Sequence, residues 1–142
     1  MTKISKTNSI EQVQKQLTAE CFNKLFIGGQ FVDPIDGQMM PTHYPATGEV
    51  FHELPKGNAN DIGSAIREAE AAWSDGAWAN MPASARGDLV SRMAQGIEEN
   101  IEVLAAIEAA DVGKPFRQAA MVIGGAASEG KYWASLGAVL DS

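Results

Sequence analysis

The chain has one cysteine, Cys21, so it can form no internal disulfide and fits a reducing compartment. Long apolar runs are missing too. Nothing approaches the roughly 18 consecutive apolar residues that a membrane-spanning helix requires. The amino terminus, M-T-K-I-S-K-T-N-S, is polar and leads into no hydrophobic region, which argues against a secretory signal and makes the cytoplasm the expected location. Basic residues are scarce: 11 Lys and Arg stand against 18 Asp and Glu, for a net charge of −7. Such a surface repels phosphate backbones, so neither nucleic acid nor membrane is expected as a partner.

What the chain does have is apolar residues at helical spacing. With 142 residues, 45% of them apolar, it is large enough for one domain with a real core. The longest pattern runs from Ser84 to Pro115, where Val90, Met93, Ala94, Ile97, Ile101, Leu104 and Ala105 recur at steps of three and four. Ser84 reads as its N-cap, Gly113 as a left-handed C-terminal residue, and Pro115 as a stop. Asn100, set between Glu98-Glu99 and Ile101-Glu102, reads as a fresh N-cap, so the spacing predicts a break near residues 99–101. Gly96 within the first half marks a candidate for close helix contact.

Around this stretch the chain alternates turn signals with short β-rich or helical patterns. Ser9 to Cys21 reads as a short helix with Ile10, Val13, Leu17 and Cys21 on one face. Leu25 to Val32 is a hairpin pattern centred on Gly28-Gly29. A second strand pair is predicted over Met39–Tyr44 and Glu49–Leu54, joined through Pro45-Ala46-Thr47-Gly48. Asn58 or Asn60 then caps a helix carrying Ile62, Ala65, Ile66, Ala69 and Trp73 on its apolar side. The last segment, Phe116 to Leu136, is predicted helical, with Val122, Ala126 and Trp133 on one side, Ile123, Ala127 and Ala134 beside them, and Tyr132-Trp133 in the core.

Several residues invite a chemical reading. Cys21 is a candidate nucleophile or redox thiol, or a small apolar residue on its stripe. His43 and His52 are predicted to face each other across the second strand pair, which raises imidazole metal ligation, although no thiol or carboxylate stands at ligand spacing. Gly113-Lys114 echoes the end of a phosphate-binding loop, but Glu108 occupies the position of the earlier Gly and Pro115 that of Ser or Thr; a helix C-cap is the better reading. Gly28-Gly29 lies between strands with no following helix, so a turn is expected there rather than a phosphate cradle.

In order and spacing, L-F-I-G-G-Q-F-V, P-T-H-Y-P-A-T-G-E-V, the helix after N-A-N-D-I, W-A-N-M-P-A-S-A-R-G and D-V-G-K-P resemble the amino-terminal segment of NAD(P)-dependent aldehyde dehydrogenases. The resemblance covers about residues 24–136 and divides the chain into an extension, residues 1–23, and an incomplete domain, residues 24–142. It implies an α/β fold whose Rossmann-like coenzyme domain is mostly missing here, so that this piece is mainly α-helical with an N-terminal β-hairpin and a second short strand pair.

The resemblance implies an activity and also what this chain lacks for it. In the family, a thiolate attacks the aldehyde, hydride passes to the nicotinamide, and a glutamate activates water to release the acid, with an asparagine at the oxyanion. No Gly-x-Thr-x-x-Gly coenzyme loop and no Glu-Leu-Gly-Gly block occur in the sequence, and Cys21 precedes the first hairpin, out of order for the nucleophile. No catalytic or coenzyme-binding residue is therefore expected here. NAD or NADP belongs to the complete enzyme, and the chain alone is expected to bind neither and to be inactive: a truncated gene product, an incomplete chain or half of a split enzyme. Its expected partners are the remainder of the subunit and, in the complete enzyme, further copies in a homo-oligomer. A stand-alone helical module that binds such a subunit or another protein is the alternative.

One site carries over in part. Family members hold a structural monovalent cation or magnesium through backbone carbonyls that correspond to Thr42 and His43 and a carboxylate that corresponds to Asp111. Oxygen donors suit such hard ions. Asp111 simply accepting hydrogen bonds near its helix end is the other reading.

Overall fold

The computed structural model describes residues 23–74 and 76–140; the helix expected over Ser9 to Cys21, and Cys21 itself, lie outside them. The described residues form two compact units, 23–79 and 80–140.

In residues 23–79 the hairpin is the local consequence of its glycine pair. Strands β1 (Leu25–Ile27) and β2 (Gln30–Val32) pair antiparallel, with Leu25 opposite Val32 and Ile27 opposite Gln30. Gly28 and Gly29 take φ of 61° and 77°, the left-handed values that a two-residue primed turn demands at both positions. Alternation then divides the side chains. Leu25, Ile27 and Val32 are half-buried, while Phe26 and Phe31 meet on the open face with ring centroids 5.0 Å apart. In the following turn, the Gly37 amide donates to the Pro34 carbonyl at 2.8 Å. The Gln38 amide donates to Asp36 Oδ1 at 3.0 Å, and this bond leads the causes that hold the exposed Asp36 carboxyl below its ordinary value.

Strands β3 (Met39–His43) and β4 (Val50–Pro55) form the second pair, and here the predicted histidine facing is corrected. Thr42 stands opposite His52 and His43 opposite Val50, with the register shifting between Thr42 and His43. Phe51, which is buried, is the extra residue of this bulge. Even without the shift His43 would stand opposite Phe51, so the two histidines are out of register along the whole ladder, and alternation alone does not fix that register. At the strand tips, the Gly48 amide donates to Tyr44 O at 2.8 Å, with Gly48 at φ 75°.

Helix α1 (Ala59–Ser74) is capped by Asn58, not Asn60. Asn58 Oδ1 accepts from the amides of Asn60 and Asp61 at 2.7 and 3.1 Å, and Asp61 Oδ2 accepts from the Asn58 amide at 2.8 Å. This is a reciprocal capping box with Asp at its third position. The other Asp61 oxygen accepts from the Ile35 amide at 3.0 Å, so one carboxylate, only 3% exposed, ties the loop after β2 to the start of α1. Burial of this charge is tolerated because both oxygens take charge-assisted bonds at a helix N-terminus. Farther along, the predicted apolar stripe is present but faces solvent: Ile62, Ile66 and Trp73 are 59%, 54% and 65% exposed.

Residues 80–140 form helices α2 (Ala83–Glu99), α3 (Ile101–Val112) and α4 (Phe116–Leu140), and the predicted break stands. Asn100 takes φ −116° and ψ 18° between α2 and α3. Its role differs from the expectation: Asn100 Nδ2 donates to the Gly96 carbonyl at 2.7 Å, finishing α2, and its side chain makes no cap bond to α3. Ser84 likewise lies inside the first turn of α2, which begins after Pro82. Gly113, at φ 71°, closes α3 as expected, its amide donating to Ala109 O at 3.1 Å. The Pro115 carbonyl accepts from Gln118 and Ala119 at 2.9 and 3.0 Å to start α4, which runs on to Leu140 rather than stopping at Leu136.

The packing in residues 80–140 is carried by small residues. Ala94, Ala105, Ala106, Ala110, Ala119, Ala127 and Ala134 are buried, and no large side chain is completely so. Along α2 and α4 the backbones themselves touch. A Cβ on Gly137 would stand 2.5 Å from the Ala83 carbonyl oxygen, one on Gly87 would press into the Ala134 carbonyl, and one on Gly130 would lie 3.0 Å from Ala94 Cβ. Gly96, the glycine marked for close contact, has open space where a Cβ would be. The predicted side of α4 is reversed as well. Ala127 and Ala134 face inward, while Val122, Tyr132 and Trp133 are 52%, 60% and 63% exposed, so the Tyr132-Trp133 pair is not core in this chain. Periodicity shows which side chains share a face; it does not show which face has a neighbour.

Two expected outcomes follow from this packing. Asp61→Ala strands the Ile35 and Asn58 amides and lowers stability by about 2–3 kcal/mol in urea unfolding, with Asp61→Asn losing less; a loss below about 0.5 kcal/mol would show that water replaces the carboxylate. Gly137→Ala destabilises by about 1–3 kcal/mol through overpacking, whereas Gly96→Ala stabilises by about 0.5–1 kcal/mol through helix propensity. Equal responses at the two glycines would contradict the backbone contact.

Candidate functional site

The residues singled out for a cation divide between the two units. Thr42 and His43 are the last residues of β3, at the bulge in its ladder with β4. Asp111, exposed, lies in the last turn of α3 just before Gly113 closes it. The fold thus brings Thr42 and His43 together within residues 23–79, and Asp111 is positioned by its own helix in residues 80–140. As a donor set, two main-chain carbonyls and a carboxylate are all hard oxygen, which fits a hard cation and not a thiophilic one. Among the described residues no three His, Cys, Asp or Glu side chains converge as a metal cluster.

His52 has a separate peculiarity. Its Nε2 is buried and has no hydrogen-bond partner among the described residues. A buried imidazole nitrogen without a partner gives up its hydration for nothing, at a cost of about 1–3 kcal/mol. It stands opposite Thr42 and not His43, so it does not assemble an imidazole pair.

The glycine motifs are structural. Gly28-Gly29 is a turn between two strands, Gly124 and Gly125 lie inside α4, and Gly113 ends a helix rather than opening one. None presents successive amides at the start of a helix, which is what a coenzyme pyrophosphate requires. Lys114 pairs with Glu108, securing the end of α3 as the C-cap reading expects. These glycines therefore form no cradle for a dinucleotide, and no step involving one is derived from them.

A cleft of about 480 Å³ lies between the hairpin and α1, lined in part by Ile27, Val32, Ile35, Asp33, Asp61 and Glu68. Its carboxylates are engaged in structure. Asp61 uses both oxygens on backbone amides, Asp33 pairs with Lys24 at 3.3 Å, and Glu68 packs against Gly28. Ser64 also lines the cleft, and its Oγ accepts from Arg67 at 2.9 Å. The sequence reading missed Asp61. The signal was available: Asn58 with an acid three residues on is a capping-box pattern.

Comparison with known proteins gives a consistent result. The model of the aldehyde dehydrogenase family matches residues 31–142. The mitochondrial benzaldehyde dehydrogenase of Antirrhinum majus is 39% identical over 114 residues, which are 80% of this chain and 21% of that protein. Among solved structures, betaine aldehyde dehydrogenase from Staphylococcus aureus in complex with NAD+ superposes with a TM-score of 0.85 at 25% identity, covering 94% of this chain and 26% of that one. A point mutant of aldehyde dehydrogenase from Bacillus cereus gives 0.82 at 33% identity, covering 95% and 27%. The chain spans about a fifth of the length of the curated relatives it matches. No helix among the described residues is long and apolar enough to cross a membrane.

The unpartnered nitrogen on β4 has a measurable consequence. His52→Leu leaves stability unchanged or raises it by up to about 1 kcal/mol, since it removes a polar atom that has no partner to lose. A loss of more than about 2 kcal/mol in urea unfolding would reveal a bound water or other partner at Nε2.

Proposed function

The chain belongs to the aldehyde dehydrogenase family, and from that premise we propose that it is the amino-terminal part of an NAD(P)-dependent enzyme that oxidises an aldehyde to a carboxylic acid. Its fold is the corresponding part of the aldehyde dehydrogenase fold, mostly helical with two small antiparallel strand pairs. The observation that carries the proposal is the outward set of large apolar side chains. Ile62, Ile66 and Trp73 on α1, and Val122, Tyr132 and Trp133 on α4, have the spacing of core residues yet lie in solvent. Fully burying a side chain of this size contributes about 1.5–3 kcal/mol, against about 0.8 kcal/mol for one methylene-sized group, the order of an alanine methyl. Much of the hydrophobic stabilisation encoded here thus awaits a cover. The remainder of the subunit is that cover in this reading, and further copies of the complete subunit assemble as a homo-oligomer.

In this reading the piece supplies support, and the nucleophile, the base, the oxyanion donor and the coenzyme loop come from the rest of the subunit. The 142-residue chain alone gives no NADH absorbance with aldehydes and NAD+ or NADP+, and fluorescence titration with NADH shows no saturation in the micromolar range. Extending the coding sequence past Ser142 to complete the subunit gives aldehyde-dependent reduction of the coenzyme. Saturable micromolar binding by the short chain would overturn this division of labour, and a complete subunit inert toward every aldehyde tried would overturn the activity.

Thr42 and His43 through their carbonyls and Asp111 through its carboxylate form, in this reading, part of a cation site in the complete subunit, for a monovalent ion or magnesium. An ion present at 100 times its dissociation constant stabilises by about 2.7 kcal/mol, so melting temperature should rise with added potassium, sodium or magnesium. Asp111→Ala should abolish that rise, whatever its effect on the melt in cation-free buffer. If the carboxylate only accepts hydrogen bonds at its helix end, Asp111→Ala instead lowers both melts equally, and the cation assignment fails.

A further inference from the structure

We draw no further inference here: the strongest candidate, the outward apolar stripe of Ile62, Ile66 and Trp73 on α1, belongs to the reading already proposed, and nothing in the structure shows a second occupant for it.

Discussion

Helices α2 and α4 meet backbone to backbone. The carbonyls of Ala83 and Ala134 occupy the space where Gly137 and Gly87 would carry side chains, and Ala94 fits against Gly130 in the same seam. At that separation nothing larger than a methyl group fits between them, so the seam of α2 and α4 is alanine and glycine. Dense contact of this kind gains dispersion energy and directional C–H···O contacts, but it buries little apolar area per residue. Several large side chains of the same helices, among them Met93, Val122, Tyr132 and Trp133, are exposed. The outward Tyr132-Trp133 pair and the tight inner seam are two results of one geometric choice.

That choice explains which parts of the fold could be read from the sequence. Local chemistry was legible: paired positive φ at Gly28-Gly29, left-handed closure at Gly113, and the interruption at Asn100 all follow from what those residues can do with their own backbone. Events between elements were not. The register of β3 with β4 sets His52 opposite Thr42 and not its anticipated facing partner, and no local pattern announces it. The glycines of α4 count against a helix by propensity, yet Gly130 and Gly137 are there because a second helix lies against them. Asn100 shows the mixed case. Its position was legible, but the side chain turns back to Gly96 instead of forward to α3.

The candidate site followed the same division. The closing Gly113 could be placed from spacing, but the choice of Thr42, His43 and Asp111 as ligands depended on family resemblance, and for the first two any residue has a carbonyl. Main-chain donors leave no mark in side-chain chemistry. What the fold adds is their setting, a strand end beside a bulge and a helix end closed by a left-handed glycine. The chain spans about a fifth of its relatives and matches their family across residues 31–142.

The carboxylate of Asp61 holds the amides of Ile35 and Asn58 at the same time, one on each oxygen. Releasing either amide alone leaves one oxygen of this 3% exposed carboxylate without its partner. The loop after β2 and the entry to α1 must therefore open together, as a single cooperative event, and amide hydrogens at both points should exchange with solvent at a common rate. Residues distant in sequence are thus made kinetically equivalent by one shared acceptor.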